Sequence, residues 1–394
     1  MIHINKSASV PEPNKIIFNF SNYYLELIRL LNEAAAIEHL LMLQYLYATF
    51  SIKEVYRDVR GSEVWQDYIK GSPQRKTSLL RVAIEEMQHL GMVNEFLAAL
   101  GASPNLVAGR SDEVADIYPF TITLKPLSLQ TTATYLYVEA DSKALDPNSP
   151  HTAKELVYIS QVREHFKKDP TTNHIGSLYG SIIECAEKVS SDPPDFLKNQ
   201  FIDWNKFHNN MGFIKEEGEL EHYKFFKEVF TSTHKGFNGK QVWDFPVTSP
   251  HYPSVQFECD QTTAYFGKEN IIKDPVSRKI GWLGNLHYWI ILALLDVNYR
   301  NTYMAEKYRA IGNMTGTLYQ LGVTLAKRNI GMPFDQMNIN PNFGKSTSCS
   351  LQIIKLLMEE AKNSAQQLRN ELPDDFNFDI YADTLNGLTK SRSD

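Results

Sequence analysis

Two copies of one short motif, Glu-x-x-His, supply the residues of this chain whose chemistry is easiest to interpret. They are Glu86-Met87-Gln88-His89 and Glu219-Leu220-Glu221-His222. Residues three apart on an α-helix lie on the same face, so each motif can direct a carboxylate and an imidazole towards one metal ion. These two ligand types together suit iron, manganese or zinc. Two such pairs form a large part of the ligand set of four-helix di-iron carboxylate proteins.

Helical periodicity places both motifs on apolar helix faces. The spacing of apolar residues predicts one helix from about 74 to 100, which carries Glu86 and His89 near its centre. A second helix, predicted from about 209 to 230, carries Glu219 and His222 on its inward face. A single Glu-x-x-His is weak evidence, because such pairs are common on solvated helix surfaces. Two copies on the apolar faces of separate helices are much more specific.

A third carboxylate lies on another predicted helix, upstream of both motifs. Periodicity predicts this helix from about 22 to 51, with Ser21 as its N-cap. Glu38 stands in the middle of its apolar face, where a carboxylate is costly to bury unless it is paired or bound to a metal. Tyr45 lies two turns further along the same face, so its phenol is the candidate catalytic residue beside the metals.

The remaining helix of a four-helix site must supply a sixth ligand, and several carboxylates compete for that place. The third bundle helix is predicted from about 175 to 189, and Glu184 near its end would lie level with Glu219 in an antiparallel pair. Glu139 is the competing candidate and Glu187 a weaker one. The site is predicted to hold two iron ions, with manganese as the alternative. The predicted metal ligands are Glu38, Glu86, His89, Glu184, Glu219 and His222.

The pattern along the rest of the chain divides it into three parts. Residues 1–230 are predicted to form the four-helix bundle with a long crossover, in which 120–124 alternates as a strand does. Residues 231–276 are rich in glycine, proline and aromatic residues, which indicates an ordered covering segment. Residues 277–394 are predicted to be a C-terminal helical extension packed on the bundle. The predicted fold class is therefore all-α, a four-helix bundle with additions.

Composition excludes several functional classes. The 394 residues are 43% hydrophobic and 22% charged, which is ordinary for a soluble globular protein. The net charge is −6 and no basic stripe is present, so nucleic acid is not an expected partner. The three cysteines are widely separated, which favours a reducing cytoplasm over a disulfide framework. No signal sequence or membrane partner is expected, because the apolar run 289–295 is far shorter than a spanning helix.

Several stretches carry a family likeness. They are residues 36–39, 45–48, 84–89, 99–104, 174–179 and 219–225, of which 84–89 is the most specific. Together they resemble the ferritin-like domain of the iminophenyl-pyruvate dimer synthases, enzymes of violacein- and rebeccamycin-type biosynthesis. The resemblance implies a ferritin-like fold, a metal site and a place in secondary metabolism.

The chain departs from this family pattern at identifiable positions. Ser177 stands where members often carry an acidic or amide residue, which leaves the third-helix ligand open. Leu43-Gln44 replaces the Pro-Pro that usually precedes the Tyr-Leu-Tyr element. The chain also lacks the long extra domains of the full dimer synthases. The resemblance therefore supports the fold and the metal site more than it supports imine dimerisation.

These observations predict a cytoplasmic non-haem di-iron oxidase or oxygenase that acts with O₂ or peroxide on a small organic, amino-acid-derived substrate. Tyr45, Tyr179 and Phe226 are expected to line its pocket. Oxidative coupling of amino-acid-derived imines is the alternative enzymatic activity. Ferroxidase or iron-storage activity and a metal-free scaffold are the alternatives from other classes, and the oligomeric state is left open.

Overall fold

The chain folds as an all-helical protein, as the periodicity predicts. The computed structural model describes residues 16, 18–61, 77–108, 123–141, 143–164, 175–264, 269–301, 304–336 and 346–390. Within these ranges the β-structure consists of isolated bridges, Ile52 with Ser254 and Thr262 with Ile271. The strand predicted at 120–124 falls largely outside the described residues, and its last two positions are not in a strand.

The helices are numbered in chain order. The α-helices are α1 Tyr23–Ser51, α2 Arg57–Arg60, α3 Leu79–Ala99, α4 Leu129–Glu139, α5 Ala153–Glu164, α6 Ile175–Ser191, α7 Trp204–Glu217, α8 Tyr223–Phe230, α9 Pro275–Asn301, α10 Met304–Asn313, α11 Tyr319–Lys327, α12 Thr347–Gln367 and α13 Ile380–Lys390. Two π-helical segments connect consecutive α-helices. Gly218–His222 joins α7 to α8, and Met314–Leu318 joins α10 to α11.

Side-chain caps explain where two of the bundle helices begin. Asn22, rather than Ser21, caps α1, because its side chain accepts a hydrogen bond from the Leu25 backbone N–H at 3.0 Å. Asn and Ser are about equally good N-caps, so the sequence alone did not separate them. The fourth bundle helix begins earlier than predicted because the Asp203 side chain caps Lys206 N.

The third position of the bundle is shared by two shorter helices. α1 packs chiefly against α3 and then against α6, while α6 packs on α7 and α4 packs on α8. Residues 140–174, which include α5, are inserted between α4 and α6. The end of α4 and the start of α6 meet at one level, since Glu139 and Ile175 both flank Gly218. The third bundle helix is therefore split where it passes the π segment of the fourth.

The C-terminal helices add to the same hydrophobic core. α9 packs against α12, α10 and α3, and α11 packs against α1, so buried residues form one continuous cluster from bundle to extension. By length and composition α9 could cross a membrane, but 94% of its most apolar window is buried inside the protein. It contains the apolar run 289–295 and lies in the core of the protein.

His287 ties the extension together from inside this core. Its Nδ1 lies 2.9 Å from Asn313 Oδ1 and its Nε2 lies 3.0 Å from the Tyr381 hydroxyl, which links α9 to α10 and α13. The side chain is fully buried, and this burial lowers the pKa of His287 to about 4. The imidazole is therefore neutral in the folded protein over a pH range in which it is protonated in the unfolded chain.

This difference predicts a specific pH dependence of stability. Between about pH 6.5 and pH 4 the unfolded state binds a proton that the native state does not. The free energy of unfolding therefore decreases as the pH is lowered through this range, by about 3 kcal/mol in total. Urea unfolding of His287→Gln should lack this component, whereas His251→Gln, which changes an exposed histidine, should keep it. Equal pH profiles for wild type and His287→Gln would contradict the assignment.

Candidate metal centre

Five buried side chains from four helical segments converge in the bundle core. Glu38 comes from α1, Glu86 and His89 from α3, Glu139 from the last position of α4, and His222 from the π segment. Each is at most 2% exposed. They form two overlapping groups in which the potential ligand atoms lie within 4.8 Å of one another, and Glu86 belongs to both. The groups are Glu38, Glu86, His89 and Glu86, Glu139, His222.

Both imidazoles turn the same nitrogen, Nδ1, towards the carboxylates. His89 Nδ1 lies 3.0 Å from Glu86 Oε2 and 3.5 Å from Glu38 Oε2. His222 Nδ1 lies 3.1 Å from Glu86 Oε1 and 3.7 Å from Glu139 Oε2. Glu86 thus presents one oxygen to each histidine, which is the arrangement of a carboxylate that bridges two neighbouring ions.

The far nitrogen of each imidazole, Nε2, faces a carboxylate outside these groups. His89 Nε2 lies 2.8 Å from Glu217 Oε2, and His222 Nε2 lies 3.3 Å from Glu85 Oε2. Glu85 is itself held by Arg81, whose Nε is 2.6 Å from its Oε1. An imidazole that donates its Nε2–H to a carboxylate keeps the Nδ1 lone pair free for a metal, and a carboxylate behind a metal-binding histidine raises its basicity.

Two fully buried phenols complete the surroundings of the terminal carboxylates. The Tyr45 hydroxyl donates to Glu139 Oε1, and the Tyr179 hydroxyl donates to Glu38 Oε1. The Phe226 ring packs on Tyr45 with a centroid separation of 5.1 Å. The structure therefore brings together the three aromatic residues that the sequence suggested for the pocket.

Burial dominates the electrostatics of the cluster. Burial, and after it the nearby Glu86 carboxylate, raises the pKa of Glu38 to about 8. Burial alone would lower the pKa of His89, but hydrogen bonds to Glu217, Glu38 and Glu86 reverse the effect and raise this pKa well above its usual value. The pKa of His222 is raised in the same way, chiefly by the charge of Glu86 against the opposing effect of burial. Without a cation, the cluster therefore takes up protons, both on the imidazoles and on Glu38.

The buried polar atoms of the two groups are suited to bind metal ions. Glu38 Oε2, Glu86 Oε1 and His222 Nδ1 are buried and make no hydrogen bond of regular geometry in the described part of the protein, although His222 Nδ1 and Glu86 Oε1 lie 3.1 Å apart. All three atoms face the interior of the cluster, where an unsatisfied polar atom is costly. A cation in each group would satisfy them, and carboxylate with imidazole is a donor combination suited to iron or manganese.

Glu184, the predicted third-helix ligand, is not part of either group. It is partly exposed, and Glu187 on the same helix is exposed. α6 meets the cluster at Tyr179, whose hydroxyl donates to Glu38 Oε1. Glu184 is five residues further on, about 140° round the helix from Tyr179, and so lies on a different face. Glu139, the competing candidate, lies in the cluster instead.

Glu219 is also displaced from the position that its motif predicts. Three residues before His222 it would share a face with it on an α-helix, but the intervening segment is π-helical. The Glu219 carboxylate instead lies against α6, so close to Gly176 that a Cβ there would be 1.9 Å from its Oε1. Burial raises the pKa of Glu219, and Lys215 opposes that shift. Of the six predicted ligands, the structure gathers Glu38, Glu86, His89 and His222.

The outer carboxylates Glu85 and Glu217 were not found from the sequence. Glu85 is adjacent to Glu86 on α3, and it contacts Arg81 and His222. Glu217 precedes Gly218, and a glycine inside a predicted helix was the one available signal of an irregular turn.

Comparison with known families identifies the class of this bundle. Residues 31–213 match the family model described as Ferritin-like. This stretch contains Glu38, Glu86, His89 and Glu139, while Glu217 and His222 lie just beyond it. The chain therefore contains a ferritin-like domain, and the predicted fold class is confirmed.

A named relative extends the similarity beyond that domain. The chain is 25% identical over 403 residues to dichlorochromopyrrolate synthase of Lentzea aerocolonigenes, an alignment that covers 86% of this chain and 39% of that protein. The resemblance suggested by residues 84–89 is thus confirmed, and the chain matches less than half the length of this relative. No solved structure matches the chain significantly.

The contact between Glu219 and Gly176 predicts a matched pair of glycine substitutions. Gly176→Ala places a methyl group on the Glu219 carboxylate, the end of a flexible side chain that must rotate to a less favourable conformation, and should destabilise the protein by about 0.5–1.5 kcal/mol. Gly180→Ala, one turn further along α6, meets nothing within 4 Å. It should be neutral or stabilising by up to about 1 kcal/mol. Chemical denaturation measures both, and equal effects would contradict the placement of Glu219.

Proposed function

We propose that this protein is a non-haem dimetal oxidoreductase, with two iron ions, that uses O₂ or peroxide to oxidise a small organic molecule of secondary metabolism. The observation that carries the proposal is the pair of buried groups that share Glu86, with their unpartnered ligand atoms directed inwards. Similarity to a named biosynthetic enzyme supports a synthetic role over iron storage.

The proposal divides the ligands between two metal positions. Glu38 and His89 would hold the first ion, Glu139 and His222 the second, and Glu86 would bridge them. When bound, iron supplies the electrons for reduction of O₂ or peroxide. Glu217 and Glu85 fix the imidazole orientations, which is how outer carboxylates increase metal affinity.

The phenols and rings provide proton control and a dry environment. Tyr45 and Tyr179 each hold a proton at a hydroxyl hydrogen-bonded to a terminal carboxylate, from which it can be passed inwards as the charge of the cluster changes. The Tyr135 and Phe226 rings pack on Tyr45 at centroid distances of 4.9 and 5.1 Å. They keep bulk water from this side of the cluster, which strengthens the electrostatic effect of each charge.

A second candidate activity is oxidative coupling of amino-acid-derived imines. It is favoured by the similarity to dichlorochromopyrrolate synthase, whose name identifies it as a synthase. The two candidates separate in one assay. An aromatic 2-imino acid is incubated with metal-loaded and with metal-free protein, and mass spectrometry searches for a coupled dimer and for oxygenated monomers. A dimer formed only by the loaded protein favours coupling.

The metal assignment predicts which substitutions remove iron. Wild-type protein reconstituted with ferrous iron under anaerobic conditions should retain about two ions per chain, and the His89→Ala, His222→Ala double variant should retain almost none. Glu139→Gln should lose the second ion, while Glu184→Gln, on the helix that the sequence favoured, should match the wild type. Elemental analysis after gel filtration gives the stoichiometry.

Two outcomes would count against this assignment. Wild-type protein that retains far less than one ion per chain would contradict the proposed function. A loss of iron in Glu184→Gln that is greater than in Glu139→Gln would place the second ion elsewhere.

A further inference from the structure

The fourth bundle helix carries two glutamates near the site, Glu217 and Glu219. In the structure Glu217, which lies outside the motif, contacts a histidine of the cluster. Glu219 belongs to the Glu-x-x-His motif but lies on Gly176. Glu217 lies outside the motif, and its Oε2 reaches His89 Nε2 at 2.8 Å. The residues from Gly218 to His222 between them are wound as a π-helix.

The winding accounts for this selection. An α-helix turns 100° per residue, which puts Glu219 about 60° from His222 around the helix axis and Glu217 about 140° from it. A π-helix turns about 80° per residue, which reverses the order: Glu217 then lies about 40° from His222 and Glu219 about 120° away. π-turns of this kind occur frequently at functional sites.

Gly218 allows the π segment to lie close to the cluster. A Cβ at this position would be 3.0 Å from Glu139 Oε2 and 3.9 Å from Ile175 Cγ2. Any larger side chain would therefore press on the carboxylate that ends α4. The local sequence thus combines a glycine at the point of closest approach with a glutamate immediately before it.

Glu217 reaches His89 from the side away from the metal groups. Its partner is Nε2, whereas the other ring nitrogen, Nδ1, faces Glu86 and Glu38 at 3.0 and 3.5 Å. A cation bound at Nδ1 is on the opposite side of the imidazole ring from the Glu217 carboxylate. Glu217 is therefore placed to orient a ligand and not to be one.

We propose that Glu217 is the positioning residue that holds His89 with Nδ1 towards the first metal ion, and that the π winding of Gly218–His222 gives it this role in place of Glu219. This inference rests on the proposed dimetal function and assigns a role within that site. It makes Glu217 the counterpart of Glu85, which occupies the same place behind His222.

The test uses cobalt(II) as the probe, because its visible absorption reports the ligand geometry and its binding can be titrated against a chelator. The variants are Glu217→Ala, Glu217→Gln, Glu219→Gln and Glu221→Gln, the last a change at an exposed position of the same segment. Thermal unfolding of each metal-free variant shows whether the fold is retained. Glu217→Gln keeps the size of the side chain in case Glu217→Ala does not fold.

We expect wild-type protein to bind two cobalt ions. Glu217→Ala should weaken one of them by about 10–100-fold, as loss of an outer carboxylate does, and should change the absorption of that ion. Glu217→Gln should fall between the two, and Glu219→Gln and Glu221→Gln should match the wild type. The spectral change is the decisive readout, since a merely structural loss would lower the unfolding temperature of the metal-free protein without changing the absorption of the bound ion.

The failures of the two proposals are distinguishable. If the wild type binds two ions and Glu217→Ala binds them equally well, the role of Glu217 is refuted while the dimetal site stands. A larger loss in Glu219→Gln than in Glu217→Ala would show that the motif glutamate acts on the metal and would also overturn the inference. A wild type that binds no cobalt would overturn both proposals together.

Discussion

The structure of this protein depends on enclosing three carboxylates and two imidazoles in a space from which water is excluded. Each carboxylate alone would carry a large desolvation cost at this depth. Hydrogen bonds from Tyr45 and Tyr179 satisfy one oxygen each of Glu139 and Glu38, but ligand atoms at the centre remain without partners. A packed core retains such atoms when something binds there, and carboxylates grouped with imidazoles form a donor set that could hold metal ions.

The surroundings of the cluster repeat one design on both sides. Each imidazole presents Nδ1 inwards and Nε2 to an outer carboxylate, and each terminal carboxylate accepts a hydrogen bond from one tyrosine. The two sides differ in how the outer carboxylate is held. Arg81 clamps Glu85 on continuous α-helix, whereas the position of Glu217 depends on a π-helical turn. The carboxylate behind His89 therefore depends on local backbone winding, and the carboxylate behind His222 on an ion pair.

The sequence predicted the parts of the site that lie on uninterrupted α-helix. Glu38, Glu86 and His89 lie together as predicted because α1 and α3 keep the regular period on which a shared face depends. Glu184 and Glu219 lie outside the cluster, where that regularity fails. An insertion splits the third helix and brings Glu139 to the cluster, and a π turn moves Glu219 off it. The periodicity argument assumes one continuous winding, so neither interruption was visible to it, although Gly218 marked the second. The resemblance at residues 84–89 located the ferritin-like domain but did not identify its third-helix ligand.

Anomalous diffraction from crystals of the iron-reconstituted protein, recorded on both sides of the iron and manganese absorption edges, tests the central claim most directly. The account predicts two peaks that share Glu86, one bounded by Glu38 and His89 and the other by Glu139 and His222, with the Glu217 carboxylate on the far side of His89. A crystal without an anomalous peak in this cluster, or with a metal held by Glu184, would contradict it.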